Sequence, residues 1–297
     1  MGWFWLTLLA AVFLGLYEIA KKKAVHENAV PPVLLLYTAT SALVWIAMIV
    51  IALFSSDPLK HRSILELSAS QHLLLILKSF IVGASWTFAF AALKHLPISI
   101  ASPIRATSPF WTIAMAVLFL AERPSALQWI GVVLILIAFL IFSWAGQKEG
   151  IVFHSNRWIT FMVIATVIGA ASGIYDKYLL QTVQLSPSTV QAWFSIYLVP
   201  IMLPLAFHWW RFERRKTPFH WRWSIPLIAL FLLCSDFLYF TALADSEALI
   251  SIVSPLRRSS ILIAFVFGVF WLREGNWKYK LTAILILLSG IFAIGLG

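Results

Sequence analysis

An arginine two residues after a proline, inside an apolar run, invites a chemical explanation, and this chain has two. Ile98-Ser99-Ile100-Ala101-Ser102-Pro103-Ile104-Arg105 and Ile250-Ser251-Ile252-Val253-Ser254-Pro255-Leu256-Arg257 agree at six of eight positions. Each run closes on an acid seventeen residues beyond its arginine, Glu122 and Glu274. Arginine at the centre of a bilayer costs at least ~2.5 kcal/mol, so it faces a counter-ion or a wet cavity. Two acids are candidate counter-ions: Glu18 closes Gly15-Leu16-Tyr17-Glu18, and Asp176 closes Gly173-Ile174-Tyr175-Asp176. The expectation is two like-built pairs, Glu18 with Arg105 and Asp176 with Arg257. Each pair is a candidate gate, and each arginine a candidate site for an anionic group of a substrate. Static ties between helices would use the same residues.

Other groups extend the list. Pro103 and Pro255 each remove a backbone hydrogen bond, which bends a helix and frees carbonyls toward a cavity. Ser102 and Ser254 either line that cavity or bond back to the preceding turn. Asp236 falls near the middle of an apolar run, where its counterpart in the first copy is Trp86. A lone mid-membrane carboxylate is a candidate proton or cation relay. The plainer alternative is a neutral carboxyl bonded to Ser235 or a tyrosine. Tyr17, Tyr175, Trp86 and Trp111 are candidate substrate contacts, although most of the fifteen tryptophans suit packing or the interfacial belts. Lys177, Glu122 and Glu274 read as local or interfacial ties. A Gly-rich phosphate loop, paired His/Cys metal spacing and a Gly-x-Ser-x-Gly elbow are all missing from the sequence. No enzyme activity, metal or cofactor is therefore expected.

These residues need elements to hold them. Of 297 residues, 61% are hydrophobic and 11% charged, with mean hydropathy +0.91. Soluble domains carry about 25% charged residues, so composition predicts an all-α integral membrane protein. The net charge of +10 comes from short loops between apolar runs, and no nucleic-acid partner is expected. Runs near 2–20, 32–54, 73–93, 97–120, 126–144, 158–180, 188–210, 224–244, 248–271 and 281–296 approach the roughly 20 residues a spanning helix needs. They fall into two blocks of five, 1–144 and 158–297, joined by a loop over 145–157. An odd number per block inverts the second relative to the first. Fourteen lysines and arginines lie in the odd-numbered loops against three in the even ones. The positive-inside rule then puts the odd loops in the cytoplasm and both termini outside.

Each five-helix unit has a fourth helix with small residues and a proline, ending Leu120-Ala121-Glu122 or Leu272-Arg273-Glu274. In the first unit Gln128-Trp129-Ile130-Gly131 opens the fifth helix; in the second, Trp277-Lys278-Tyr279-Lys280 replaces it. On these features the chain resembles the EamA-type transporters of the drug/metabolite transporter superfamily. The family motifs report fold better than substrate; with the inverted duplication, the expected function is secondary transport of a small polar or amphipathic metabolite by alternating access, an amino-acid or metabolite exporter first. Implied partners are membrane lipid, a small-molecule substrate and a proton or exchanged solute. The expected setting is the cell (inner or plasma) membrane, as a monomer or homodimer. The alternatives are a flippase for a lipid-linked sugar, a non-transporting membrane scaffold and an integral-membrane enzyme.

Overall fold

A computed structural model describes residues 2–54, 62–111, 114–115, 125–147, 155–245, 253, 256–273 and 275–296. The described residues form helices: α1 (Gly2–Val25), α2 (Val30–Leu53), the short α3 (Arg62–Leu65), α4 (Ala69–His95), α5 (Ile98–Ala106), α6 (Ala126–Gln147), α7 (Arg157–Lys177), α8 (Pro187–His208), α9 (Ser224–Ala244), α10 (Ser260–Phe270) and α11 (Trp277–Leu296). Two of them widen at their ends into π turns, α7 over Tyr178–Thr182 and α8 over Trp209–Glu213. Without water to satisfy backbone groups, a helix that bonds to itself is the natural spanning form. Among the described residues, six stretches are long and apolar enough to cross a membrane: Gly2–Val25, Val30–Ile51, Ala69–His95, Arg157–Thr182, Pro187–Glu213 and Ser224–Ala244. Ala126–Phe142 is a shorter apolar helix.

Local chemistry sets several starts. Ser68 and Gln71 form a reciprocal capping box at α4. Asn156 accepts from the Trp158 amide at α7, and Ser186 from the Thr189 amide at α8, where Pro187 takes the first turn. The surface suits lipid rather than water. Trp5, Leu43, Ile51, Leu73, Leu140 and Trp144 are each more than half exposed, while Lys21, Lys78 and Lys280 are buried.

The helices pack in a paired pattern. α1 lies along α9, and α7 along α4; α4 touches α8, and α9 touches α2; α1 touches α10, and α7 touches α5. Exchanging the first block for the second converts each of these contacts into its mate. The remaining large contacts, α2 with α8, α5 with α10 and α6 with α11, map onto themselves. Two hydrogen bonds repeat the pattern: Ser85 of α4 donates to the Ala165 carbonyl of α7 at 2.7 Å, and Ser235 of α9 to the Ala10 carbonyl of α1 at 2.9 Å.

Contacts at the helix ends order the elements vertically. Lys22, near the end of α1, donates to the Leu93 and Leu96 carbonyls at the end of α4. His95 stacks at 3.8 Å on Trp158 at the start of α7. Arg222, just before α9, donates to the Lys23 carbonyl, and Asn28 and His220 bond each other. At the far side Tyr175, late in α7, donates to the Leu74 carbonyl near the start of α4, and Gln181 to the Leu243 carbonyl at the end of α9.

One expectation changes here. The run over 97–120 is not one continuous helix, because α5 stops at Ala106 and a turn at Thr107 precedes the next helical residues. In the second copy, Leu256–Arg258 is helical, Ser259 is a turn and α10 begins at Ser260. Thr107 Oγ1 donates to the Ile104 carbonyl and Ser259 Oγ to the Leu256 carbonyl, both at 2.7 Å. These are equivalent positions, and a hydroxyl turned back on its own backbone competes with helix propagation. Pro109 adds to the first break by lacking the N–H that would reach the Arg105 carbonyl.

Candidate functional site

The two breaks flank a central cavity of about 130 Å³ among α1, α4, α5, α7, α8, α9 and α10. Its walls carry Glu18, Asp176 and Asp236 and, of opposite sign, Lys78, Arg105, Arg257 and Arg258. Tyr17, Trp86, Ser85, Ser102, Ser172 and Tyr239 are among the polar and aromatic lining residues, and Gly169 and Gly173 lie on the α7 wall. Concentrating seven charged side chains around one cavity is costly unless the charges are paired or solvated.

All three acids are paired, but not as the repeat suggests. Glu18 accepts from Lys21, three residues on along α1, at 2.7 Å. Asp176 accepts from Lys78, which reaches across from α4. Asp236 accepts from Arg257 at 2.5 Å. The expected pairs Glu18–Arg105 and Asp176–Arg257 therefore do not form. A nearer lysine takes each acid, and Asp236 takes Arg257. Asp236 is accordingly not a lone carboxylate. Arg257 also has Ser235 Oγ at 3.4 Å and lies over the Tyr239 ring at 4.0 Å.

Both lysines also lie against aromatic rings. Lys21 Nζ lies 4.6 Å from the Tyr17 ring centre and 5.4 Å from that of Phe90. Lys78 Nζ lies 4.9 Å from Phe194 and 5.2 Å from Phe240. Phe90 and Phe240 are counterparts in the two copies, as are the neighbouring Ala92 and Ala242. The ring faces supplement each ion pair where water is scarce.

The remaining expected residues divide. Ser102 lines the cavity with a buried hydroxyl that has no hydrogen-bond partner, so it does not bond back to its own turn. Tyr17 and Trp86 line the cavity. Tyr175 does not: it bonds the Leu74 carbonyl at 3.1 Å and stacks on Tyr178. Trp111 packs edge-on to Phe110 away from the cavity lining. Pro103 lies inside α5, one turn before the break. Ser254, Pro255, Glu122 and Glu274 lie outside the described residues.

Lys21, Lys78 and the two glycines were not singled out from the sequence. Lys21 belongs to Lys21-Lys22-Lys23, which reads as a loop cluster, yet α1 continues to Val25 and buries it. A lysine three residues after a glutamate on one helix is the available signal. Lys78 interrupts an apolar run and has Ile228 as its counterpart, so comparing the copies does not reveal it.

The glycines divide more sharply. At Gly15 a Cβ would lie 2.6 Å from Ile263 of α10, so any side chain there must push Ile263 aside. At Gly173, the counterpart of Gly15, a Cβ would meet nothing within 4 Å. The counterpart of Ile263 is Trp111. One copy of this helix crossing is thus tight and the other is open.

Known proteins fit this geometry. The model of the EamA-like transporter family matches residues 1–144 and 156–296. A solved structure described as "Crystal structure of protein" superposes with TM-score 0.64 at 15% identity, covering 97% of this chain and 95% of its own. That likeness concerns the fold. No curated protein matches the chain.

Proposed function

Because the chain belongs to the EamA-like transporter family of the drug/metabolite transporter superfamily, we propose that it is a secondary carrier. It moves a small polar or amphipathic metabolite, as amino-acid and metabolite exporters do, by alternating access to the central cavity. A proton or an exchanged solute drives the cycle.

The proposed architecture is ten spanning helices in two inverted five-helix units, 1–144 and 158–297, joined by 145–157. Three observations support it. The family model matches two segments with nearly these bounds. The packing pairs interchange when the units are exchanged. Finally, the end of α4 touches both the end of α1 and the start of α7. That contact makes α1 and its counterpart α7 run in opposite directions. Inverted duplication places one site between two similar gates, which suits a carrier.

The observation that carries alternating access is the inequality of Gly15 and Gly173. Ile263 packs on Gly15, while the equivalent space at Gly173 is open. In an inverted pair the opposite-facing state follows by exchanging the two conformations. Trp111 then packs on Gly173, and Ile263 withdraws from Gly15. Paired cysteines test this in a background with Cys234→Ser. Gly15→Cys with Ile263→Cys should cross-link in one state, and Gly173→Cys with Trp111→Cys in the other. Either cross-link should stop solute movement in proteoliposomes, and reduction should restore it. Full transport with either cross-link closed would refute alternating access.

A further inference from the structure

Charge accounting around the cavity leaves two cations over. Glu18, Asp176 and Asp236 are occupied by Lys21, Lys78 and Arg257. Among the described residues neither Arg105 nor Arg258 has an ion-pair or hydrogen-bond partner, although both line the cavity. Arg105 Nη1, Arg258 Nε and Ser102 Oγ are buried nitrogen and oxygen atoms without a partner. The two guanidinium groups stand on opposite copies, each just ahead of a break, Arg105 before Thr107 and Arg258 before Ser259. Those breaks fix where the side chains enter the cavity.

A guanidinium offers five N–H donors and accepts nothing. A serine hydroxyl adds another donor. The unsatisfied part of the wall is therefore rich in donors and positive charge. The ligand that completes it is rich in acceptors and negative. Planar guanidinium forks match carboxylate and phosphate oxygens in two-point contacts, which favours an oxyanion over a spherical halide. Gly169 keeps the opposite wall low: a Cβ there would come 3.9 Å from Arg105 Nη2 and 3.4 Å from Ser85 Oγ. The 130 Å³ of space suits a compact organic acid or phosphate ester.

We propose, on the premise that the chain is a carrier, that its substrate bears a carboxylate or phosphate group held by Arg105, Arg258 and Ser102. An oxyanion supplies the missing acceptors without disturbing the three ion pairs. The same chemistry occurs in soluble acids and in lipid headgroups.

The test uses the full chain in detergent and in proteoliposomes. Succinate, inorganic phosphate, short-chain phosphatidate, choline and glucose are titrated at constant chloride and ionic strength. Thermal unfolding and tryptophan fluorescence report binding. Succinate or phosphate should give saturable stabilisation, with choline and glucose giving none. Arg105→Gln and Arg258→Gln should each weaken binding tenfold or more, Arg105→Lys should weaken it less, and Arg214→Gln on an exposed loop should leave it intact. Stabilisation by phosphatidate alone keeps the oxyanion site and assigns it to lipid. Movement of the bound anion across proteoliposomes upholds both the site and the carrier. Arginine-dependent binding with no movement upholds the site and removes the carrier premise. Movement of choline or glucose that ignores both arginine variants keeps the carrier and overturns the oxyanion site. Failure of every probe to bind also overturns the oxyanion site.

Discussion

Lys78 and Asp176 meet across two helices, and neither has another ionic partner among the described residues. Both side chains are buried, so each depends on the other for solvation. Removing one member of such a pair strands a charge, at a cost of about 3–5 kcal/mol, whereas replacing both with apolar residues can cost little. Lys78→Met alone should lower the thermal unfolding midpoint sharply. Lys78→Met with Asp176→Leu should recover most of the loss. A double variant as unstable as the sum of the singles would show that the two side chains act separately.

The paired Asp236 remains the candidate relay. Protonating this carboxyl would release Arg257, so proton binding is linked to a contact in the cavity wall. In proteoliposomes, Asp236→Asn should leave exchange between equal pools measurable and abolish acceleration by an imposed pH gradient. Unchanged acceleration in the variant would remove Asp236 from coupling.

Gly15 and Gly173 should respond oppositely to the same substitution. Gly15→Ala forces Ile263 aside and should destabilise the protein, because a Cβ there comes within 2.6 Å. Gly173→Ala enters open space on a helix and should change stability by less than ~1 kcal/mol, in the stabilising direction. Gly173→Leu should fold and yet slow transport at least tenfold by filling the crossing. Equal thermal shifts for the two alanine variants would contradict the asymmetry.

Thr107→Val and Ser259→Val remove hydroxyls that close the two breaks. Each loses one hydrogen bond, about 1 kcal/mol, while the helix gains an uninterrupted path. Stability should therefore move little, and transport should fall in both variants, because Arg105 and Arg258 enter the cavity from these turns. Full transport by the double variant would make the breaks incidental.

The orientation proposed from charge has its own test. Lys21 and Lys280 of the fourteen odd-loop cations are buried, and the rest still outnumber the three opposite. A reporter active only in the cytoplasm should stay silent when fused after Gly297, and a strong signal there would reverse the placement.

Much of this was legible in the sequence, and the limits have physical causes. Apolar run length revealed the helices, since hydrocarbon demands it. Duplication revealed Arg105, Arg257, Glu18 and Asp176 as a set, and all four line the cavity. Which acid meets which base depends on helix rotation and on residues outside the repeated phrases. Lys78 has no charged counterpart, and Lys21 lay hidden in a basic cluster. The breaks were hidden too, because Thr107 and Ser259 are ordinary residues for a membrane helix until their hydroxyls turn back. Ile263 against Gly15 is a matter of ångströms at a crossing, which spacing along the chain does not encode.

Glu18 and Lys21 ride on a single helix, so no rigid displacement of helices can separate them. Lys78 and Asp176 ride on two, and any parting of α4 from α7 must break their bond. The two ends of the molecule are therefore fastened differently: one by a rivet, the other by a latch. In the proposed cycle that opens them in turn, opening one end costs an ion pair and opening the other does not, and that difference in free energy favours one resting posture.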